Sequence, residues 1–498
     1  MAAPDHEGTP ATGGLLVHGG RILGEDLQAQ DVLIEDGRIS AVGLGLDAPG
    51  GVERLDASGM LVSPGLINAH YHSGENFNPG LYENLPLDLW FVHSHQVTRA
   101  EPLSAEAIYV RTALGAALML GGGTTGCVDF LFEAPEITLE TLEPVVQAYR
   151  DAGMRATILL GVADKPFAES LPLDDAAGAA AREAAPPTLD GIMALARAAV
   201  DRWHEPGGQI GIGLGPSAPQ RCTDALLDES LAFCRDRGLV WQTHVLETKS
   251  QAFTSRRWHG KSFVERLADR GMLGPEATLV HTVWLSDRDI ELMASTRTPA
   301  VHCLLSNLRL GDGIARLPAL RDAGVRVALG TDGRGCDETL DMLELAKMTA
   351  LVHKARGGDF HRWPTAAQAL EMCTSAASIH MGHGERLGRI EPGALGDLFL
   401  LPLDAPALTP LNDAVRQLVY GVPSADVRTV VVGGRIVVSE GTPTGIDLPR
   451  LNEQSTRYAV DALVGDRAAD AAVIEALVAE MYARVEATDL DVDAYLRP

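Results

Sequence analysis

Two histidines stand one residue apart in the stretch Ile67-Asn68-Ala69-His70-Tyr71-His72-Ser73, at the end of an apolar run. On an extended strand, residues i and i+2 point to the same side, so His70 and His72 face one way and Tyr71 the other. A single His-x-His is weak evidence for a metal clamp, but other ligand-type side chains also end apolar runs. His244 ends GLVWQTHV with Glu247 three residues on, His281 follows ATLV, His302 lies in TPAVHCLL, and Asp332 ends GVRVALGTD. His70, His72, His244 and Asp332 together make a donor set suited to Zn2+ or Fe2+ with room for a water. Such an ion lowers the pKa of a bound water from about 15.7 to about 7, which is the chemistry of hydrolysis. Each position alone has a plainer reading: His244 as a core histidine, Asp332 as a turn residue or helix N-cap, His302 as a ring bonded to backbone. Their joint placement at strand ends is what argues for a site. A second His-x-His, His93 and His95 in FVHSHQV, sits at no strand end and is expected to be structural or part of a substrate-side loop.

What must position these residues is a set of strands whose C-terminal ends meet. MLVSPGLINAH, TTGCVDFLF, MRATILLGV, QIGIGLGPSA, GLVWQTHV, ATLVHTV, TPAVHCLL and GVRVALGTD read as eight strands. Helical patterns such as ITLETLEPVVQAYRDAG and ETLDMLELAKMTALVHKA lie between them. Near-continuous apolar strands are what a parallel sheet covered on both faces requires. Spread over residues 63–385, they read as a (β/α)8 TIM-like barrel in preference to a doubly wound open sheet. The polar residues fall in barrel order at the strand ends, where barrel enzymes carry their catalytic groups. Short β-like text with Gly-Gly and Asp-Gly turns fills 14–62 and returns over 386–445, so a small β-sandwich domain built from both termini is expected. Residues 446–498 read as a helical, acidic tail, and 174–188 as a loop or short helix.

The chain has 498 residues, 46% hydrophobic and 22% charged, with a net charge of −26, enough for a large buried core. That charge argues against nucleic acid or an anionic membrane surface as partner, since both need a basic face. The six cysteines form no CxxC and no dense framework, which points to a reduced, cytoplasmic protein. The start, MAAPDHEGTPATGG, is polar and acidic, unlike a signal peptide, and no 18-residue apolar run predicts a membrane span. The expected partner is a small-molecule substrate.

Taken together, SPGLINAHYH, GGTTGCVDF, THVLETKSQ, LVHTVWLSDRDIELMA, VHCLLSNLRLGDG, VALGTDG and GRIEPGALGDLFLL resemble the amidohydrolase superfamily. The likeness is to its cytosine deaminase and chlorohydrolase-like branch, which includes triazine hydrolase and S-adenosylhomocysteine deaminase-like enzymes, and it runs from about residue 14 to 440. The resemblance implies metal ligation by His70, His72, His244 and Asp332. It implies His281 as a hydrogen-bonding partner of the water or of the substrate, and Glu247 as proton shuttle. Two-metal relatives carry a modified lysine at the end of strand four; QIGIGLGPSAPQ has none, so one divalent ion per chain is expected. Homodimers or homotetramers are common among relatives. The chain departs from them at Leu304, at Ala376 and in the charged stretch GTDGRGCDET.

The expected enzyme is an aminohydrolase acting on carbon–nitrogen bonds other than peptide bonds, at a C–NH2 or amidine carbon of a purine, pyrimidine, triazine or related ring. Hydrolysis of a cyclic amide, cyclic imine or carbon–halogen bond is the alternative at the same site, and a metal-free binding protein the third reading. Catalysis is assigned to Glu247, His281 and Asp332. Trp90 of LYENLPLDLWFVH, Gln220 of PSAPQ and His302 are candidate substrate contacts; Trp90 or Phe91 either stacks on a ring or packs its own helix.

Overall fold

The structure is a computed structural model that describes residues 14–24, 27–94, 102–171, 186–355, 357–463 and 470–488. His95 and residues 174–185 lie outside the described residues. No described helix is long and apolar enough to cross a membrane.

Two nine-stranded sheets organise the chain. One is built from both ends: β1 (Leu15–Ile22), β2 (Ala29–Glu35), β3 (Arg38–Gly43), β4 (Glu53–Asp56) and β5 (Met60–Pro64) come from the N-terminal part. The strands β15 (Leu398–Pro402), β16 (Thr429–Val432), β17 (Arg435–Ser439) and β18 (Thr442–Pro443) complete it, with β15 pairing antiparallel to β5. The other sheet is parallel: β6 (Leu66–His72), β7 (Thr124–Leu131), β8 (Arg155–Val162), β9 (Ile210–Pro216), β10 (Trp241–Val245), β11 (Ala277–His281), β12 (Ala300–His302), β13 (Val327–Leu329) and β14 (Asp332–Gly333). β13 pairs with β12 and β14 with β6, so a single broken strand closes the ring into a TIM-like (β/α)8 barrel. β6, β7 and β10 are buried at every residue, as strands covered on both faces must be.

The helices wrap the outside for sequence-visible reasons. Leu139–Ala152 starts at a Thr138 capping box and stops at Gly153, whose φ of 74° suits glycine. Its apolar stripe of Leu142, Val145, Val146 and Tyr149 is buried against the strands. Burying each such aliphatic side chain contributes roughly 1.5–3 kcal/mol.

Three strands differ from the sequence expectation. MLVSPGLINAH is two strands, because Pro64 lacks an N–H and Gly65 passes close to β7: a Cβ there would lie 2.2 Å from Thr125 Oγ1. β5 therefore belongs to the terminal sheet and only β6 enters the barrel. TPAVHCLL is extended only over Ala300–His302 before a helix begins at Leu304. GVRVALGTD breaks at Gly330, where a Cβ would meet the His70 carbonyl at 2.7 Å.

β6 also carries an irregularity that sequence alternation hides. Ile67 and Ala69 pack inside the barrel with Val128 and Phe130, and Leu66 and Tyr71 pack outside it. His70 also turns inward, its ring 5.5 Å from that of Phe130. The pairing runs Asn68 to Cys127 and then Tyr71 to Asp129, three residues against two. This one-residue bulge delivers both His70 and His72 to the interior above an apolar floor.

The barrel and the terminal sheet are joined by a buried bidentate pair, Arg155 Nε to Asp397 Oδ2 at 2.8 Å and Nη2 to Oδ1 at 3.1 Å. Asp397 Oδ1 also accepts from Gly433 N at 2.8 Å. Removing one partner of a buried pair strands the other charge. Asp397→Ala is expected to cost about 3–5 kcal/mol in urea unfolding, and Arg155→Met with Asp397→Leu to recover most of it. Equal loss in the single and double variants would show that the pair is not what joins the two sheets.

Candidate active site

The strand ends set the site. His70 and His72 leave β6, His244 leaves β10, His281 ends β11 and Asp332 opens β14. Each imidazole is oriented by a bond on its far nitrogen. His72 Nδ1 donates to the Phe130 carbonyl at 2.5 Å and His244 Nδ1 to the Ser217 carbonyl at 2.6 Å. His70 Nδ1 meets Gln242 Oε1 at 3.1 Å, and the amide of Gln242 is itself fixed by donating to the Ala69 carbonyl at 3.0 Å. A ring that donates from Nδ1 presents a bare Nε2 lone pair.

These lone pairs converge. Ligand atoms of His70, His72 and His244 lie within 4.8 Å of one another, as do those of His70, His281 and Asp332. His72 Nε2 is 3.0 Å and His70 Nε2 3.7 Å from Asp332 Oδ1. Among the described residues, the buried His70 Nε2 has no hydrogen-bond partner. The other carboxylate oxygen, Asp332 Oδ2, accepts from Ser306 Oγ at 2.6 Å. Three imidazoles and one carboxylate with inward lone pairs, one of them orphaned, are a donor set that fits a divalent cation.

Electrostatics separates the groups. Burial pushes His70 well down, His244 down to about 3 and His281 down to about 4, so all three are neutral at neutral pH. Burial also opposes the charge on Asp332, yet the hydrogen bond with His72 and the nearness of the His281 and His72 imidazoles hold its carboxyl well below the usual range. For His72, burial works downward but is outweighed by Asp332, which raises the imidazole to about 9. Burial, reinforced by Asp312 and Asp332, drives Glu247 well above the ordinary carboxyl value. Its carboxyl is hydrogen-bonded to that of Asp312, so the two hold a proton between them.

Asn307 Nδ2 donates to His281 Nδ1 at 3.1 Å and lies 3.4 Å from Asp312 Oδ2. That leaves the proton of the neutral His281 ring on Nε2, 3.9 Å from Asp332 Oδ2. Glu247 Oε1 stands 3.5 Å from His281 Nδ1. The backbone is strained where it delivers these groups: φ is 68° at His281, 67° at Asp332 and 51° at Leu246, next to Glu247. Non-glycine residues held there cost of order 1–3 kcal/mol each and persist where the surroundings over-determine them.

A cavity of about 70 Å3 is walled by His72, His244, Glu247, His281 and Asp332 together with Trp90 and Gln220. A larger one of about 560 Å3 shares His72, Glu75, Phe91, Phe132 and Arg221 with it. Trp90 and Gln220 thus stand where a substrate contact would. Trp90 Nε1 donates to the Gly335 carbonyl at 3.3 Å, and Phe91 stacks on Phe167 with ring centroids 5.2 Å apart. His302 does not join them. Val301 packs in the barrel interior, so the next residue turns outward, and the His302 ring packs 5.6 Å from that of His353 on the helix Met342–Ala355. His93 lies away from the cluster, with Nε2 3.2 Å from Glu475.

Sequence reading overlooked Glu75, Asp88, Ser306, Asn307 and Asp312. Glu75 is buried on both cavity walls, and burial lifts its carboxyl to about 8. Gly333 makes space for it, since a Cβ there would fall 1.7 Å from Glu75 Oε2. An acid three residues beyond His72 was the available signal. Asp312, in a Gly-Asp-Gly turn, looked like any loop aspartate.

A closed parallel barrel with histidines and an aspartate converging at the C-terminal strand ends defines a metal-dependent hydrolase. The chain belongs to the Amidohydrolase family, whose profile matches residues 61–437. It is 33% identical over 449 residues to 5-methylthioadenosine/S-adenosylhomocysteine deaminase of Halobacterium salinarum, covering 89% of this chain and 97% of that protein. It is 32% identical over 432 residues to 5'-deoxyadenosine deaminase of Methanothermobacter thermautotrophicus, covering 86% and 93%. Among solved structures, an adenosine deaminase from Xanthomonas campestris with bound zinc aligns with a TM-score of 0.79 and 26% identity, over 90% of this chain and 98% of that one.

Elemental analysis of His70→Ala and Asp332→Ala is expected to show loss of the ion, and of His93→Ala to show it retained. Loss of metal from the His93 variant would place the clamp on the wrong histidines.

Proposed function

We propose that the chain is a mononuclear aminohydrolase that releases ammonia from the amino-bearing carbon of an adenine-type nucleoside. Its ion, zinc as in the Xanthomonas campestris relative, would be held by His70, His72, His244 and Asp332. One observation carries the reading: Glu247, a neutral His281 and Asp332 share the wall of one small cavity directly beside that donor set. The relatives named as deaminases support it. β9 (IGIGLGP) has no lysine to bridge a second ion.

A divalent ion held there would supply the acidity that brings a water's pKa from about 15.7 to about 7. Glu247 accepts the water's proton at its carboxylate and passes it to the ring nitrogen next to the attacked carbon. A C–O bond forms at that carbon as its ring C=N bond opens. His281 donates from Nε2 to the oxygen, while Asp332, steadied by Ser306, stays an anion and accepts a hydrogen bond from the O–H of that oxygen. Glu247, freed of the first proton, takes the second from that oxygen as the C=O bond forms and returns it to the amino group, so that the C–N bond breaks and ammonia leaves. The wall of Trp90 and Gln220 holds the ring. The adjoining 560 Å3 cavity has space for a sugar and its 5' substituent.

Metal-loaded protein is expected to release one ammonia per 5'-deoxyadenosine or 5-methylthioadenosine consumed, and little from cytosine or aminotriazines. Ammonia from the triazines alone would overturn the nucleoside assignment.

Glu247→Gln keeps size and shape but cannot take the proton. Its kcat is expected to fall by about 10²–10⁴, the usual worth of a positioned acid–base group, with metal content and melting temperature unchanged. Wild-type turnover in that variant would end the proposed mechanism.

A further inference from the structure

The helix Asp470–Glu486 buries one face and packs on the helices Leu87–Ser94 and Lys249–His259. Ile474, Val478, Met481 and Val485 repeat at helical spacing and are buried against Val92, Phe167 and Leu171. Polar contacts fasten it at both ends, Glu475 with His93 at 3.2 Å and an ion pair of Glu486 with Lys249 at 3.5 Å. Its inner face reaches the catalytic cavity: Met481 is one of the wall residues beside Glu247 and His281.

The next residue acts on a carboxylate in that wall. Tyr482 Oη donates to Asp88 Oδ2 at 3.1 Å, and Ser250 Oγ donates to the same oxygen at 3.0 Å. Asp88 lies in the first turn of the helix Leu87–Ser94, and Ser250 in that of Lys249–His259, so three separate segments meet at one oxygen. Among the described residues no hydrogen bond falls on Oδ1, and Asp88, half-buried, is one of the residues that line the cavity. A second acceptor stands in the same wall. Gln220 is buried, and its Oε1 has no hydrogen-bond partner among the described residues. A buried acceptor left without a donor is costly, so Gln220 Oε1, with Asp88 Oδ1 in the same wall, is placed for a ligand that brings donors.

We infer that Asp88 is a specificity-determining residue whose Oδ1, together with Gln220 Oε1, receives N–H or O–H donors of the substrate away from the reacting carbon. Tyr482 of the C-terminal helix is the positioning residue that fixes Asp88 in that orientation. The helix is therefore part of the active site and not an appendage. The inference rests on the deaminase reading above, and it concerns binding and not the proton transfers.

The test is a double-variant cycle on the full-length, metal-loaded protein with 5'-deoxyadenosine. Asp88→Asn is expected to raise KM about 10–100-fold, and Tyr482→Phe about 3–10-fold, with kcat within about twofold and metal retained, as for loss of charge-assisted bonds. In the Asp88→Asn background Tyr482→Phe should add less than about twofold, because the two act through one contact. Calorimetric titration in the Glu247→Gln background, where ligand stays intact longer, should show the same weakening in Kd. A single variant with unchanged KM and Kd, or two effects that multiply, overturns the inference even if melting temperatures fall, since a purely structural role moves stability alone. Ammonia from no amino-heterocycle at all would instead overturn the deaminase reading, and the inference with it.

Discussion

Three imidazoles and a carboxylate converge at the mouth of the barrel with their acceptor atoms turned toward one another, and acceptors cannot satisfy acceptors. His72 Nε2 and Asp332 Oδ1 lie 3.0 Å apart while His72 Nδ1 is already committed to the Phe130 carbonyl. Without a cation the contact requires a proton on His72, which is why that imidazole alone is raised, to about 9, while His70, His244 and His281 are depressed. A divalent ion relieves the same conflict for all four groups at once. Much of the nearby architecture can be traced to holding that conflict in place. The bulge in β6 turns two histidines inward, Gly330 lets the closing strand lie against His70, and left-handed backbone at His281 and Asp332 aims their side chains.

The outer hydrogen bonds matter as much as the ligands. Phe130 and Ser217 offer backbone carbonyls, which accept but never donate, so each fixes a tautomer that no side-chain change can reverse. Asn307 does the opposite for His281 by donating to Nδ1, leaving that ring a donor at Nε2. One residue type thus serves two functions, lone pair in one case and proton in the other, according to which far-side partner the fold supplies.

Much of this was legible in the residues. Period-two spacing put His70 and His72 on one face, and the barrel order of polar strand ends gathered His244, His281 and Asp332 around them. The same rule, applied one strand on, shows why His302 is elsewhere: Val301 takes the inward position, and alternation sends its neighbour out. What could not be read was contact between distant segments. The split at Gly65 depends on Thr125, the place of Glu75 on Gly333, and the pairing of Asp312 with Glu247 on a loop whose path the sequence does not state. The tail was legible as helix, but nothing in its pattern says that Met481 faces the catalytic cavity.

The carboxyl groups explain the remaining character of the site. Glu75, Glu247, Asp312 and Asp332 are buried together at one end of the barrel, with Asp88 beside them, and so many negative charges in so small a volume cannot all persist. Their environments divide them. Asp332 is surrounded by imidazoles and by Ser306 and stays ionised, whereas Glu75 has burial and the Asp332 charge against it and takes up a proton near pH 8. Glu247 and Asp312 are bonded to each other, and two carboxyls in contact hold one proton jointly. In the proposed mechanism, the group that gains and loses a proton is therefore the one whose neighbour leaves it half-loaded, while the group that remains an anion is enclosed by donors. Such divergence between like side chains is how one pocket assigns acid and base roles. Here it follows from which strand end or loop each carboxyl was placed on.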